Sequence, residues 1–350
     1  ECYFGGGLSE PPPFSNKVGG ENNEMLGSEA NEMSRVILVD AKAMAVENSV
    51  VNKLQRLIQE SGAADDLSEG MRVAIKVNTS EAGYEYGLRP VFIRAVTDVA
   101  RNASKTRPTI CDGLRLVDYW QKANANNLLN LAREKGYSND TRGGNFVVIG
   151  GFSGDEGELY SCQLPDSELG GVEVGTAVCR SDALWVLSHV TLHPLFGLSA
   201  ALLNGGFDCL VARAKSRVLR GVDPYPFNGQ RPPLEKLRAF HRRALESHLG
   251  VRAAMDGRIF YVNYLWDVTP QPEYFPFSGE PVTGNLGFLA SRDPVALDAV
   301  TFDLIRESHS FAKTGVDSVR KIGEVDFTEV LKDAETMGVG CAGGALRRLS

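Results

Sequence analysis

Short apolar runs alternate with longer amphipathic stretches from residue 35 onward. Strands are predicted at residues 36–39, 71–77, 109–111, 146–149, 184–187, 259–265 and 286–290. Helices are predicted at residues 50–58, 91–100, 128–135 and 234–249, and two more begin at Asp293 and Asp326. Because β-α units of this length recur, we expect an α/β fold with a mostly parallel, doubly wound-like sheet, in one unit or in two lobes.

Residues 1–33 have a different pattern from the α/β domain predicted at 34–350. They are polar and rich in Gly and Pro, with neither a helical nor a strand period. Such a segment buries too little apolar surface to fold alone. We therefore expect an extended N-terminal arm that lies against its own domain or a neighbouring chain, as in a homo-oligomer or a larger assembly. The chain starts without Met, which leaves room for a processed N-terminus.

Charge and hydropathy exclude two classes of partner. The net charge is −7, so no overall positive field favours nucleic acid or an anionic membrane. The longest apolar stretch, residues 183–203, is interrupted by Ser188, His189, His193 and Pro194, so we expect no transmembrane segment. The sequence thus predicts a soluble protein without indicating its compartment.

The six cysteines are widely spaced, and no pair has CxxC spacing. Cys111 and Cys179 lie in apolar, strand-like runs, which favours buried thiols. Cys2 and Cys341, near the two ends of the chain, could pair in an oxidising compartment, and the sequence leaves that open.

Polar side chains lie near the carboxyl ends of the predicted strands or just beyond them. They are Lys76 and Asn78, Asp112, His189 and His193, Asn263 and Asp267, and the segment from Ser291 to Asp293. In open parallel sheets, ligands bind at the carboxyl ends of the strands. This mixture of lysine, histidine, carboxylate and amide groups is typical of acid–base chemistry on a small polar substrate.

The segment from His189 to His193 has the strongest local signal for chemistry. A histidine near its normal pKa can transfer protons at neutral pH. The alternative is a loop histidine that is hydrogen-bonded to backbone. Two histidines four residues apart share a face only on a helix, and Pro194 argues against one here. Because no third ligand lies nearby, we expect no metal site.

Two further groups of residues have open interpretations. The basic residues Arg213, Lys215, Arg217 and Arg220 could hold a carboxylate or phosphate, or could form a solvated helix face. Asp298 and Asp303, in the helix that begins at Asp293, are expected to face solvent. The glycines near residue 150 do not form a G-x-G-x-x-G loop, so a dinucleotide is not expected.

Four stretches in order resemble the family called domain of unknown function 362. They are residues 73–78 (VAIKVN), 188–206, 262–270 (VNYLWDVTP) and 289–298 (LASRDPVALD). The resemblance covers roughly residues 70–340 and leaves out the arm.

This resemblance implies an iron–sulfur centre, often with a ferredoxin-like cysteine insert. The corresponding segment here, residues 223–233, has no cysteine. Pro272 and Tyr274 stand where the family tends to have Cys-x-Cys, and Cys209 survives after the Asn-Gly-Gly segment. Because one thiolate cannot hold a cluster that needs four ligands, we expect no intrinsic iron–sulfur cluster.

The leading hypothesis is a small-molecule enzyme that binds a small polar or anionic ligand. The expected catalytic residues are His189, His193, Lys76 and Asp112. The expected substrate-binding residues are Asn78, Lys215, Asn263, Asp267 and Asp293. Two alternatives stay open: a non-catalytic assembly or filament subunit that docks by its arm, and an iron–sulfur redox protein with scattered cysteine ligands.

Overall fold

The computed structural model describes residues 34–116, 124–223, 232–308 and 325–349. The predicted arm at residues 1–33, and with it Cys2, lies outside the described residues, so its docking role and the pairing with Cys341 stay predictions. Within the described ranges, every helix is too short or too polar to cross a membrane.

The predicted α/β fold with a mostly parallel sheet is confirmed. In the described part of the chain, eight strands form the main sheet. Their bounds are β1 Val36–Asp40, β2 Val73–Lys76, β3 Thr109–Gly113, β4 Asn145–Ile149, β7 Ala183–His189, β10 Ile259–Leu265, β11 Gly287–Ser291 and β12 Leu346–Leu349. They are arranged in the order β12-β1-β11-β10-β7-β2-β3-β4. Only β11 runs against its neighbours in this sheet. Two hairpins stand apart, β5 Gly157–Ser161 with β6 Gly171–Gly175 and β8 Thr191–His193 with β9 Gly197–Ser199.

Helices cover both faces of the sheet. Their bounds are α1 Val50–Glu60, α2 Pro90–Ser104, α3 Ala125–Glu134, α4 Asn139–Arg142, α5 Thr176–Cys179, α6 Ala201–Gly205, α7 Ala212–Val218, α8 Leu234–Ala254, α9 Pro294–Glu307 and α10 Phe327–Thr336.

Strand β7 shows how the core is divided. Leu184 and Val186 belong to the apolar cluster on one face, and Trp185 and Leu187 to the cluster on the other. A strand buried on both faces reads as a continuous apolar run, which is why the sequence predicted it.

The order of the strands reverses between β2 and β7. From β2 the chain proceeds outward to β3 and β4, and it then returns to β7 on the other side of β2 before reaching β10. The segments that leave the carboxyl ends of β2 and β7 therefore diverge and open a crevice. Such a switch point is where open α/β sheets bind their ligands.

The strand predicted at residues 184–187 extends further, and the histidine segment after it forms strand rather than the loop that would be the alternative to a catalytic role. His189 ends β7 and His193 ends the short strand β8. The amide of Val190 donates to the carbonyl of Tyr264, which extends the pairing of β7 with β10. Pro194 follows β8 in the turn that leads to β9, where its missing N–H costs no ladder hydrogen bond.

Asp298 corrects a second expectation. Asp303 is exposed as predicted, with 66% of its side-chain surface accessible, but Asp298 is fully buried. Its carboxylate accepts hydrogen bonds from the amides of Ala201 and Leu202 at 2.9 and 2.8 Å and from Nδ2 of Asn263 at 2.9 Å. Because an α-helix has 3.6 residues per turn, two side chains five positions apart point to different faces. Asp298 therefore faces the core, whereas Asp303 faces solvent. Burial raises the pKa of Asp298 to about 7.

We predict that Asp298→Asn lowers the free energy of unfolding by about 1 to 3 kcal/mol when measured with urea near pH ~8.5, where the carboxylate is ionised. An amide offers one acceptor oxygen where the carboxylate offers two, so one buried N–H loses its partner. Asp303→Asn, on the same helix, is the control and should change the free energy by less than about 0.5 kcal/mol. Equal effects of the two substitutions would contradict the buried role of Asp298.

Candidate functional site

A buried lysine lies at the end of β2, beside the switch point. Nζ of Lys76 donates to Oδ1 of Asn78 at 3.1 Å, to Oδ1 of Asn204 at 2.9 Å and to Oδ2 of Asp208 at 3.1 Å. Asn204 lies on α6, and Asp208 lies on the 3₁₀ turn that follows it. All four side chains are buried. The ammonium group thus joins the end of β2 to the segment after β9.

Asp112, at the end of β3, completes the inner side of this cluster. Its Oδ1 is 4.0 Å from Nζ of Lys76. Its Oδ2 accepts the amide of Thr79 at 2.8 Å, and Oδ1 accepts the amide of Gly113 at 2.8 Å. The carboxylate therefore fixes the loops that follow β2 and β3 relative to each other.

Two more cations face Asp208 from the opposite side. A guanidinium nitrogen of Arg115 is 3.4 Å from its Oδ1, and Nζ of Lys215 is 4.0 Å from the same oxygen. Burial alone would raise the pKa of Asp208, but Lys76, Arg115 and Lys215 hold it well below its usual range. The group is a carboxylate at any physiological pH.

Lys215 reaches this cluster from helix α7. Its Nζ donates to the carbonyl oxygen of Leu114 at 3.2 Å and lies 5.7 Å from the centre of the Phe207 ring. A Cβ on Gly113 would come within 2.6 Å of Nζ, so glycine at that position is needed for the approach. Burial lowers the pKa of Lys215 to about 8, against the opposing effect of Asp208.

Arg115 and Lys215 line a cavity of about 40 Å³. His193 and Tyr274 are its other polar residues. The remaining wall is apolar and consists of Leu114, Leu116, Leu195, Leu203, Phe207, Leu219 and Phe240. The guanidinium of Arg115 lies 5.3 Å from the centre of the Tyr274 ring, a cation–π distance.

His193 has a fixed protonation pattern in this cavity. Its Nδ1 accepts hydrogen bonds from the amides of Leu195 at 3.2 Å and Phe196 at 3.0 Å. The proton of the neutral ring is therefore on Nε2, which is 3.3 Å from the hydroxyl of Tyr274. Burial lowers the pKa of His193 to about 3, so the ring is neutral at physiological pH.

His189 lies beside the cavity and holds the loop that carries Tyr274. Its Nε2 is 2.8 Å from the carbonyl oxygen of Trp266, and its Nδ1 is 2.9 Å from Oε1 of Glu273. Burial on its own lowers the pKa of His189, but Glu273 and the backbone carbonyls raise it above its usual value. Both ring nitrogens thus face acceptors, and the expected acid–base role of His189 stays a prediction.

Three cations and two carboxylates lie together among the described residues of this region: Lys76, Arg115 and Lys215 with Asp112 and Asp208. All five side chains are less than a tenth exposed. A cation that water reaches poorly attracts an anion more strongly than one at a solvated surface does.

The structure brings together five of the residues expected from sequence. Lys76, Asn78, Asp112 and Lys215 are in the buried cluster, and His193 lines the adjacent cavity.

Three other expected residues have partners elsewhere. Asn263 donates to Asp298 and to Oγ1 of Thr301, the latter at 3.0 Å. Asp293 caps α9 through the amide of Val295 at 2.8 Å. The carboxylate of Asp267 lies near the surface, where it accepts from Arg89 at 3.3 Å. Substrate contact by these three residues stays a prediction.

Sequence reasoning missed Asn204, Asp208, Arg115 and Glu273. Arg115 comes two residues beyond the Asp112-Gly113 turn, so extending the search past each strand end would have found it. Asp208 is an isolated acidic residue in a mostly apolar segment, which is a signal of a buried charge. The partnership of Glu273 with His189 spans 84 residues and leaves no local signal.

Metal ligands are not grouped in the described residues, where no set of three or more His, Cys, Asp or Glu side chains could hold an ion. Burial raises the pKa of the Cys209 thiol to about 12 and that of Cys111 well above its usual value. A cluster needs four ligands, and neither buried thiol belongs to a group of even three possible ligands among the described residues. The thiols of the described residues do not fit an iron–sulfur centre.

We predict that Lys76→Met lowers the free energy of unfolding by about 3 kcal/mol, because it leaves the buried Asp208 with only its two more distant cations. The control is Arg72→Met, which removes an ion pair with Asp182 from a side chain that is 66% exposed. Arg72→Met should lower the free energy of unfolding by less than about 1 kcal/mol when both variants are unfolded with urea. If Lys76→Met were no more destabilising than the control, the ion pair of Lys76 would not organise the site.

Comparison with known proteins gives a family and a distant structural likeness. The family model described as "Domain of unknown function (DUF362)" matches residues 73–303. No curated protein matches the chain. Among solved structures, the lactate racemase apoprotein from Thermoanaerobacterium thermosaccharolyticum is similar at 15% identity and a TM-score of 0.39, over 67% of this chain and 51% of that one. The chain thus spans about half the length of that protein. Because the family model matches well over half of its residues, this chain belongs to the DUF362 family.

Proposed function

We propose that this protein is an enzyme that acts on a small organic acid with a short apolar chain, bound in the cavity beside Arg115 and Lys215. One observation carries the proposal: two buried cations line a small and mostly apolar cavity at the switch point of the sheet.

Stability alone does not explain why these charges are buried. Replacing a buried ion cluster by well-packed apolar residues is often neutral or stabilising, because desolvation offsets the attraction between the charges. Clusters of this kind with shifted pKa values are concentrated at functional sites. The pKa of about 8 for Lys215 suits a group that gives or takes a proton near neutral pH.

A carboxylate fits this cavity better than other anions do. A guanidinium can bind both oxygens of a carboxylate together, and a lysine beside it can contact the same group. The leucine and phenylalanine walls favour an alkyl chain over further polar groups. The volume of about 40 Å³ limits that chain to a few carbon atoms.

The other contacts of the cluster have supporting roles in this proposal. Lys76 and Asp112 hold the strand ends and position Asp208, which in turn orients the two cavity cations. Nε2 of His193 and the hydroxyl of Tyr274 supply hydrogen-bonding groups to the bound molecule. His189 holds the loop that carries Tyr274 through its contact with Glu273.

We predict that butanoate raises the melting temperature and that butanamide, its neutral counterpart, does not. At about ten times its dissociation constant, a ligand adds about 1.4 kcal/mol to the stability of the native state. For a protein of this size that corresponds to roughly 2 °C or more in thermal unfolding. Arg115→Met and Lys215→Met should each abolish the shift, because each removes a cation from the cavity.

The matched control is Arg213→Met, on the same helix as Lys215. Arg213 is 56% exposed and pairs with Glu173 at the surface, so its replacement should leave the butanoate shift intact. Equal shifts with butanoate and butanamide, or a butanoate shift that survives in both cavity variants, would overturn the proposal. A shift with inorganic phosphate larger than with butanoate would replace the carboxylate by a phosphate ester as the substrate class.

A further inference from the structure

We propose that Lys215 is a nucleophile that forms an imine with the carbonyl carbon of a small 2-oxo acid whose carboxylate is held by Arg115. This inference rests on the proposed function and deepens it, because it names the reactive group of the substrate and the atom that attacks it.

The position of Lys215 is the first observation behind this assignment. Its side chain is 3% exposed and lines the cavity with Arg115, so both reach the same bound molecule. One carboxylate needs one guanidinium for bidentate binding. The lysine is then a second nitrogen in the wall around the same small ligand.

The anchoring of Nζ is the second observation. It donates one hydrogen bond to the carbonyl oxygen of Leu114 and stands 4.0 Å from Asp208. A nucleophile held in one place is already oriented for attack, which removes part of the entropic barrier.

The charged and titratable groups that face Lys215 come from several elements. They are Asp208 on the 3₁₀ turn, Asp112 on β3, Arg115 after β3, Lys76 on β2, His193 on β8 and Tyr274 in the loop after β10. Burial and the neighbouring cations lower the pKa of Lys215 to about 8, although the two carboxylates oppose this. Near neutral pH the neutral amine is then more abundant, by roughly two orders of magnitude, than at a lysine with the ordinary pKa.

The condensation conserves charge in the buried site. The neutral amine attacks the carbonyl carbon, the C–O bond breaks after the carbinolamine forms, and a C=N bond replaces it. Overall, the ammonium form of lysine and the carbonyl compound give a protonated imine and one water, and the oxygen leaves with two protons that were on nitrogen. The hydroxyl of Tyr274, which is next to Nε2 of His193, can donate to the carbonyl oxygen as charge develops there. Because the protonated imine keeps the positive charge of the lysine, the pairing with Asp208 is retained.

The test is reductive trapping with 2-oxobutanoate and sodium cyanoborohydride, followed by intact-protein mass spectrometry and peptide mapping. We expect one adduct, on the peptide that contains Lys215, with the mass of the oxo acid less one oxygen atom. Lys215→Arg, which keeps the positive charge, should slow trapping at least about 10-fold. Lys332→Arg, at an exposed lysine paired with Glu329, is the control and should leave the rate unchanged. The trapping rate should rise with pH and level off above about 8, the pKa of Lys215.

Binding measurements separate failure of this inference from failure of the proposed function. If butanoate and 2-oxobutanoate both raise the melting temperature but no adduct forms at Lys215, the imine is refuted and the organic-acid site stands. If neither compound binds, both proposals fall. Adducts spread over exposed lysines, or trapping that is as fast in Lys215→Arg as in the unchanged protein, would also refute the imine.

Discussion

The buried ion pair between Lys76 and Asp208 is the interaction on which the candidate site depends. Lys76 ends β2, whereas Asp208 comes from the 3₁₀ turn after α6, so the pair connects two segments 132 residues apart. Once Asp208 is held there as a carboxylate, it attracts Arg115 and Lys215 and sets where their charged ends lie. Without that anion, three buried cations would repel one another, and the cavity wall would lose its order.

The reversal of strand order explains why this pair forms where it does. Parallel strands present their carboxyl ends at one edge, and the reversal between β2 and β7 keeps the connecting segments from covering that edge. Side chains that follow β2, β3 and β8 therefore converge, although their positions in the chain are far apart. The hydrogen bond of His189 to Glu273 then fixes the loop that closes one side of the cavity.

Much of the fold and part of the site could be predicted from the sequence. The apolar runs of β2, β7 and β10 are continuous because both faces of these strands are buried, and Lys76 and Asp112 were found because they follow such runs directly. The environment of Asp298 could not be predicted, since the angular position of a helical residue does not say which face meets the core. Asp208 and Glu273 were missed for another reason: their partners are distant in the chain, and only the folded sheet brings them together.

The family resemblance directed attention to iron–sulfur chemistry, and the described thiols do not support it. Cys111 and Cys209 are buried beside the charged cluster, where burial keeps them protonated. What the described residues hold at the expected place is a set of charged nitrogen and oxygen groups. An assembly role through residues 1–33 concerns a part of the chain outside the described residues and stays a prediction.

A crystal structure of the protein with 2-bromobutanoate tests the central claim most directly, because anomalous scattering locates the bromine independently of the rest of the ligand. If the cluster organised by Lys76 and Asp208 forms an organic-acid site, the bromine peak lies among the leucine and phenylalanine walls, and the carboxylate contacts Arg115 and Lys215. A fully bound ligand found elsewhere, with this cavity holding only water, would contradict it.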